Sequence, residues 1–123
     1  MTKDDALIIA KILEAVGRPV SFRYPGDEEG KSGILIDRAV VRSNPGARGV
    51  PYWDVVDLIE FKGEQNPEWI RIGYYRKPKN RLQWGSQTTI TEPVKTWKRV
   101  LVKAAKQKRW FRTLLRSVVA ELK

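Results

Sequence analysis

The 123-residue sequence contains no cysteine and no histidine, and it has a single methionine. Zinc sites, iron–sulfur clusters, thiol catalysis, disulfides and histidine-based acid/base mechanisms therefore lack the residues that they need. No apolar run approaches the roughly 20 residues that span a bilayer. Any chemistry would have to use carboxylate, lysine, tyrosine or hydroxyl side chains. We expect a cytoplasmic protein with no cofactor and no bound metal.

Acidic residues are scarce in the second part of the chain. The whole sequence has 24 Lys and Arg against 14 Asp and Glu, a net charge of +10. Residues 1–68 have a net charge of −3, whereas residues 69–123 have a net charge of +13, with Glu92 and Glu121 as the two acids. Such asymmetry predicts a polyanionic partner, with nucleic acid first and an anionic membrane surface second.

The pattern of apolar residues predicts a single α+β domain over residues 1–123. Residues 4–16 place apolar side chains three and four positions apart before Gly17, which predicts a helix. Alternating or β-branched segments predict strands at 19–24, 33–41, 52–61, 69–76 and 81–88. From Thr91, the predicted N-cap, a long helix runs to the C-terminus, with a bend or break near Gln107 because Lys108 falls in its apolar stripe. We expect a small antiparallel sheet or partly closed β-barrel of about five strands, an N-terminal helix and a long basic C-terminal helix.

The predicted C-terminal helix has a basic face opposite its apolar face. The stretch from Lys95 to Arg116 contains nine basic residues and no acid. Because like charges repel, this composition favours a phosphate-binding surface over a solvated face. The predicted phosphate contacts are Lys95, Lys98, Arg99, Lys103, Lys106 and Arg109. Trp110 either stacks on an unpaired base beside these cations or, if the helix is kinked, turns inward and leaves Phe111 more peripheral.

A second basic site is predicted at the hairpin of the fourth and fifth strands. Its tip has four cations: Arg76, Lys77, Lys79 and Arg81. If Arg76 opposes Arg81, one face of the hairpin contains Trp69, Arg71, Tyr75, Leu82 and Trp84. An open face would be a stacking platform for bases with Arg71 as its cation, whereas a buried face would make the aromatic residues part of the core.

These features predict a nucleic-acid-binding protein without catalysis. Single-stranded nucleic acid or RNA is favoured over duplex DNA, because the aromatic side chains can stack and no helix-turn-helix pattern is present. An alternative is an interaction module whose basic amphipathic helix docks on an acidic protein or an anionic membrane surface. The sequence leaves homo-oligomerisation open.

A further alternative comes from Glu60 and Lys62 at the end of an apolar strand, with Asp37 on an earlier strand and Glu14 on the first helix. This order resembles the PD-(D/E)xK nuclease family. The resemblance implies Mg²⁺ held by Asp37 and Glu60 and an attacking water steadied by Lys62. The chain departs from the family pattern because Asp37 does not follow a proline and a strand, not a helix, is predicted after Lys62.

Overall fold

The structure, a computed structural model, describes residues 2–22, 30–43, 51–77, 81–85 and 92–123. Its helices and strands are α1 (Lys3–Leu13), β1 (Pro19–Phe22), β2 (Lys31–Ser43), β3 (Tyr52–Glu60), β4 (Glu68–Arg76), β5 (Gln83–Trp84), α2 (Val94–Gln107) and α3 (Arg109–Glu121). The strands form one five-stranded antiparallel sheet in the order of the sequence. The predicted α+β fold, with an N-terminal helix and a helical basic C-terminal region, is confirmed.

The predicted long C-terminal helix is two helices, and the expected break lies at Lys108. The backbone of Lys108 is extended, with φ −126° and ψ 117°. A continuous helix would place Lys108 one turn beyond the buried Ala104, where its ammonium group would lose hydration. At the break, Lys108 stays half-exposed and its N–H still donates to the Ala104 carbonyl at 2.9 Å. Thr91, the predicted N-cap, lies outside the described residues, and α2 begins at Val94 with Pro93 at its N-cap.

The chain forms two compact units, whose boundaries fall within β2, β3 and β4. The first unit is Met1–Arg38 and Val56–Ile72, and the second is Ala39–Val55 and Gly73–Lys123. The first unit has 8 Lys and Arg against 11 Asp and Glu, whereas the second has 16 against 3. The net charges are therefore −3 and +13, and the basicity of the sequence belongs to the second unit.

The first unit packs α1 and the turn after it against the sheet. Thr2 caps α1 by accepting the N–H of Asp5 at 3.0 Å on its hydroxyl, a contact that satisfies one of the free donors of the first turn. Gly17 ends the following turn with φ +88°, a conformation that glycine adopts without steric cost. Its N–H donates to the Leu35 carbonyl at 2.6 Å. The core beneath consists of Leu35, Ile59 and Phe61, with Ala15, Val16, Val20 and Trp69 packed against it.

The second unit buries side chains from the strands and from both C-terminal helices. Its buried apolar residues are Ala39, Val40, Val41, Trp53, Val55, Tyr74, Val100, Ala104 and Phe111. Gly73 leaves room for the Trp84 indole, because a Cβ at this position would overlap the ring. α3 packs against α2. Each of the two helices therefore has a buried inward side and an exposed outward side.

The β4–β5 hairpin has a different register from the predicted one. Tyr75 pairs with Trp84 across the hairpin, so the predicted pairing of Arg76 with Arg81 is wrong by two residues. The strands are joined by the six residues 77–82, a longer connection than the predicted tight turn. Because side chains alternate along a strand, a shift of two leaves each residue on its predicted face. The Tyr75 and Trp84 ring centroids lie 4.8 Å apart.

Candidate nucleic-acid interface

The outward side of α2 is a row of lysines. It contains Lys95, Lys98, Lys103 and Lys106, all exposed. Val100 and Ala104 are buried on the opposite side, so α2 has an inward apolar side and an outward basic side. At 1.5 Å per residue the row is roughly 16 Å long. Within the part of the chain that the structure describes, no carboxylate forms an ion pair with these four lysines. We call these four residues the lysine row.

Cations continue beyond the break between the helices. Arg109 and Arg116 of α3 are exposed. Arg112 is half-buried, and its Nη1 donates to the Ala105 carbonyl at 3.4 Å. The positive surface of the second unit therefore extends from α2 onto α3.

The hairpin supplies part of the predicted second basic site. Arg76 and Arg81 are exposed, and Lys77 is half-buried. Lys79 lies outside the described residues. The structure therefore places two accessible guanidinium groups at the β4–β5 hairpin of the second unit.

Arg71 and Trp69 are engaged in the first unit. Arg71 donates to Asp57 Oδ2 from Nε at 3.1 Å and from Nη2 at 2.9 Å. The Trp69 indole N–H donates to the Asn66 carbonyl at 2.7 Å, and its ring lies edge-on to Phe61 at 5.3 Å between centroids. Trp69 is therefore half-buried and packed against the core of the first unit, and Arg71 has a carboxylate partner inside the fold.

Arg99 points toward the interior, unlike the lysine row. It is half-buried, and its Nη2 is buried without a hydrogen-bond partner among the residues that the structure describes. It lies close enough to Asp54 to lower the pKa of that carboxyl. The guanidinium predicted to contact phosphate is therefore part of a buried charged cluster formed by Asp54, Glu92 and Arg99.

Asp54 is the centre of this cluster. It is fully buried, no N–H or hydroxyl group of the described residues donates to its carboxylate oxygens, and its hydrogen-bond partner is the Glu92 carboxyl. Burial raises the pKa of Asp54 from 3.8 to about 8, and the nearby Glu92 carboxyl raises it as well. Two carboxyl groups buried together favour a state in which one of them keeps its proton. Asp54 therefore keeps its proton to a higher pH than an exposed aspartate does.

Trp110 is half-buried, and Phe111 is the residue that enters the core. Phe111 is 3% exposed, whereas Trp110 keeps part of its surface accessible. The two rings lie edge-on with centroids 6.0 Å apart. Of the two alternatives for this pair, the one in which a kinked helix would turn Trp110 inward and leave Phe111 more peripheral does not describe the structure.

A buried ionic cluster in the first unit was not predicted. Arg38 is 1% exposed and donates to Asp57 from Nε at 2.7 Å and from Nη2 at 3.0 Å. Its Nη1 donates to the Ile12 carbonyl in α1 at 2.9 Å. The available signal was the presence of charged residues inside strongly apolar strands, where Asp is disfavoured. The pairing itself depends on strand register, which the pattern does not provide.

The residues of the nuclease resemblance do not form a metal site in the described structure. Asp37 Oδ1 accepts the backbone N–H of Arg38 at 2.9 Å. Glu60 is half-buried, whereas Lys62 and Glu14 are exposed. Among the described residues, no group of three or more His, Cys, Asp or Glu side chains is placed to hold a metal ion.

No protein family model, no curated protein and no solved structure matches this chain. Among the helices in the described ranges, none has the length and apolar character that crossing a membrane requires. The charges and the exposed side chains of the second unit are the features that indicate a function.

Proposed function

We propose that this chain binds nucleic acid, without catalysis, through the basic surface of its second unit. The observation that carries the proposal is the lysine row on α2, which has one sign of charge and no carboxylate partner among the described residues. The row lies in a unit with a net charge of +13. Cations in that arrangement gain most from a polyanion, because each phosphate contact releases condensed counterions.

The lysine row supplies the phosphate contacts, and the hairpin cations Arg76 and Arg81 extend them. Four to six neutralised phosphates predict that affinity for a single strand falls roughly 50- to 300-fold between about 50 and 200 mM salt. Arg71 and Arg99 have no part in this surface, since one pairs with Asp57 and the other lies beside Asp54. Lysines also contact phosphates without reading bases, so binding is largely independent of sequence.

Single-stranded nucleic acid or RNA is the favoured ligand. Trp110 follows the exposed Arg109 and keeps part of its ring accessible. An accessible aromatic ring beside cations can stack on an unpaired base, an interaction that duplex DNA does not offer. We also propose that the protein acts in the cytoplasm, where nucleic acid of this kind is available.

The proposal is tested by fluorescence anisotropy with labelled single-stranded DNA, RNA and duplex DNA of unrelated sequence at two salt concentrations. The test variant replaces the lysine row by glutamine, a good helix former. Its matched control replaces four exposed cations of the first unit by glutamine: Lys3, Lys11, Arg18 and Lys62. Both variants lose the same charge, so any difference reports position and not net charge.

We expect the lysine-row variant to bind at least tenfold more weakly than the control, with a shallower dependence of affinity on salt. Far-ultraviolet circular dichroism verifies that both variants keep the helical content of the wild type. Equal weakening of the two variants, or binding that is insensitive to salt, would contradict the proposal. A Trp110→Leu variant sharpens it, because we expect a loss for single strands and little change for duplex DNA.

A further inference from the structure

Among the described residues, contacts cover the apolar face of α3 only near the start of the helix. Phe111 is buried, but the exposed fraction increases along the same face, from 41% at Leu114 to 48% at Val118, 52% at Val119 and 79% at Leu122. At 100° per residue these four exposed side chains occupy an arc of roughly 140°. We call them the α3 apolar patch. They are contiguous and lie on one side of a regular helix, so they form a surface and are not scattered exposures.

Cations border one edge of this patch. A groove of about 330 Å³ runs along that edge, lined by Arg112, Leu115, Arg116, Val119, Ala120 and Lys123. Its lining is thus three apolar residues and three basic residues. An occupant of matching chemistry has apolar parts beside negative charge.

The width of the patch argues against a paired helix as its occupant. Phe111, Leu115, Val118 and Leu122 follow the spacing of the two core positions of a heptad. In a two-stranded coiled coil the positions beside that seam carry charges that face the partner, but here they are Leu114 and Val119. A second copy of the chain would also bring its own basic edge close to the basic edge of the first copy, and these like charges would repel. Nucleic acid, for its part, offers phosphates to the cations but nothing that buries four aliphatic side chains.

We propose that the C-terminal half of α3 binds an anionic phospholipid surface, with the α3 apolar patch inserted among the acyl chains and the cations at the headgroups. An interfacial helix of this kind has a wide apolar face, a basic edge and no need to span the bilayer. Arginine and lysine side chains are long enough to reach phosphate groups while their aliphatic stems stay in contact with the apolar region. The anionic lipid supplies the charge complementarity that the edge requires.

This lipid site is distinct from the lysine row, although both use the charge of the second unit. The lysine row lies on α2 and contacts phosphates in water, whereas the α3 apolar patch requires burial of aliphatic side chains. The two sites therefore respond to different substitutions. A variant that loses apolar side chains from α3 should keep its affinity for an oligonucleotide.

Co-sedimentation with vesicles tests the lipid site. The wild-type chain, freed of nucleic acid by nuclease treatment, is mixed with vesicles of phosphatidylcholine alone or with about 30% phosphatidylserine. The test variant is Val118→Ser with Leu122→Ser. The matched control is Leu7→Ser with Val94→Ser, two helical apolar residues that are 63% and 86% exposed elsewhere in the chain.

We expect binding to phosphatidylserine vesicles that is weakened about tenfold or more in the test variant and unchanged in the control. Equal binding to neutral vesicles, or equal binding by test variant and wild type, overturns the proposal. Light scattering on the free protein provides a separate check. A dimer that the test variant converts to a monomer would assign the patch to a second copy and also overturn the proposal.

The oligonucleotide titration distinguishes this result from the proposed function. If the Val118/Leu122 variant keeps its salt-dependent affinity for single strands but loses the vesicles, both proposals stand. If it keeps the vesicles as well, the lipid site fails while nucleic-acid binding is unaffected.

Discussion

Strand β3 carries two buried aspartates three residues apart, one in each unit, and their surroundings differ. Asp57, in the first unit, accepts four hydrogen bonds from the guanidinium groups of Arg38 and Arg71. Asp54, in the second unit, receives no hydrogen bond from an N–H or hydroxyl group of the described residues, and its hydrogen-bond partner is a second carboxyl, Glu92. The negatively charged unit thus contains an aspartate whose carboxylate accepts hydrogen bonds from guanidinium groups, which we call compensated. The positively charged unit contains an aspartate without such bonds, which we call uncompensated.

The difference shows how the surroundings of a buried carboxyl group decide whether it is ionised or keeps its proton. A buried carboxylate is tolerated when charge-assisted hydrogen bonds replace its hydration, as at Asp57. Without such bonds it keeps its proton, as at Asp54, where the pKa is raised to about 8. Unsatisfied buried polar groups are rare in folded proteins and often occur at functional sites. Asp54 lies in the unit whose surface we propose to bind polyanions.

The largest expected effect comes from removing the compensated charge. Asp57→Ala leaves the guanidinium of Arg38 buried without its carboxylate, and it also frees Arg71. We expect the free energy of unfolding to fall by about 3–5 kcal/mol, measured by urea denaturation with tryptophan fluorescence. Glu60→Ala is the control, since it removes a half-buried carboxylate from the same strand, and we expect a change within about 0.5 kcal/mol. Similar costs for the two variants would show that the Asp57 pairing contributes little.

The paired cluster also shows where prediction from the sequence stops. Period-two and period-3.6 patterns were sufficient for the sheet, the three helical segments and the break near Gln107, because those features depend on neighbouring residues. Arg71 was predicted to be the cation of a base-stacking face, yet its partner Asp57 lies on the adjacent strand. Recognising such a pair needs the register, and even the local β4–β5 register was predicted two residues away from the observed one. Long-range pairing of charges is therefore the part that pattern analysis leaves undetermined.

The second expected effect concerns the uncompensated aspartate and depends on pH. The pKa of Asp54 is raised from 3.8 to about 8 in the folded state, so the folded chain binds a proton that the unfolded chain has released. The contribution of Asp54 to stability is therefore fully present below about pH 4 and is lost as the pH rises toward 8, with a slope of up to about 1.4 kcal/mol per pH unit. Asp54→Asn removes this dependence. We expect its advantage over the wild type in free energy of unfolding to grow across that range.

Denaturation at several pH values between 4 and 8 checks this expectation. Glu68→Gln provides the control, because it removes an exposed carboxylate of the first unit and should leave the slope of stability against pH unchanged. If the Asp54→Asn variant has the same slope as the wild type, Asp54 is ionised in the folded chain and the contrast with Asp57 disappears.

The candidate site was predictable in its outward residues and not in its inward ones. The lysine row follows from helical periodicity, because residues on one side of an amphipathic helix share their exposure. Arg99 lies on the same helix, but its position beside Asp54 depends on a strand 45 positions earlier in the sequence. The buried aspartate was visible as a charged residue within an apolar strand, although its neighbours were not. Surface chemistry is thus easier to predict than the partners of buried charges.

The smallest expected effect on stability concerns a contact between the C-terminal end of a helix and β2. Each unit has one such contact. In the first unit Arg38 donates to the Ile12 carbonyl of α1. In the second unit the side chain belongs to the helix and the backbone groups belong to the strand. Gln107 Nε2 donates to the Val40 carbonyl at 2.8 Å, and its Oε1 accepts the Val40 N–H at 3.1 Å. Both contacts join a side chain to backbone groups, but only the first involves a buried charge.

Gln107→Ala should therefore lower the free energy of unfolding by about 1 kcal/mol, the usual net value for neutral hydrogen bonds. Gln107→Glu keeps an acceptor for the Val40 N–H but places a carboxylate against the Val40 carbonyl, so we expect a loss at least as large as that of the alanine variant. Urea denaturation of the two variants beside the wild type measures both values. If the glutamate variant is as stable as the wild type, the Val40 carbonyl does not depend on Gln107. The second unit would then hold the end of α2 by its buried apolar residues, Val100 and Ala104, and not by this polar contact.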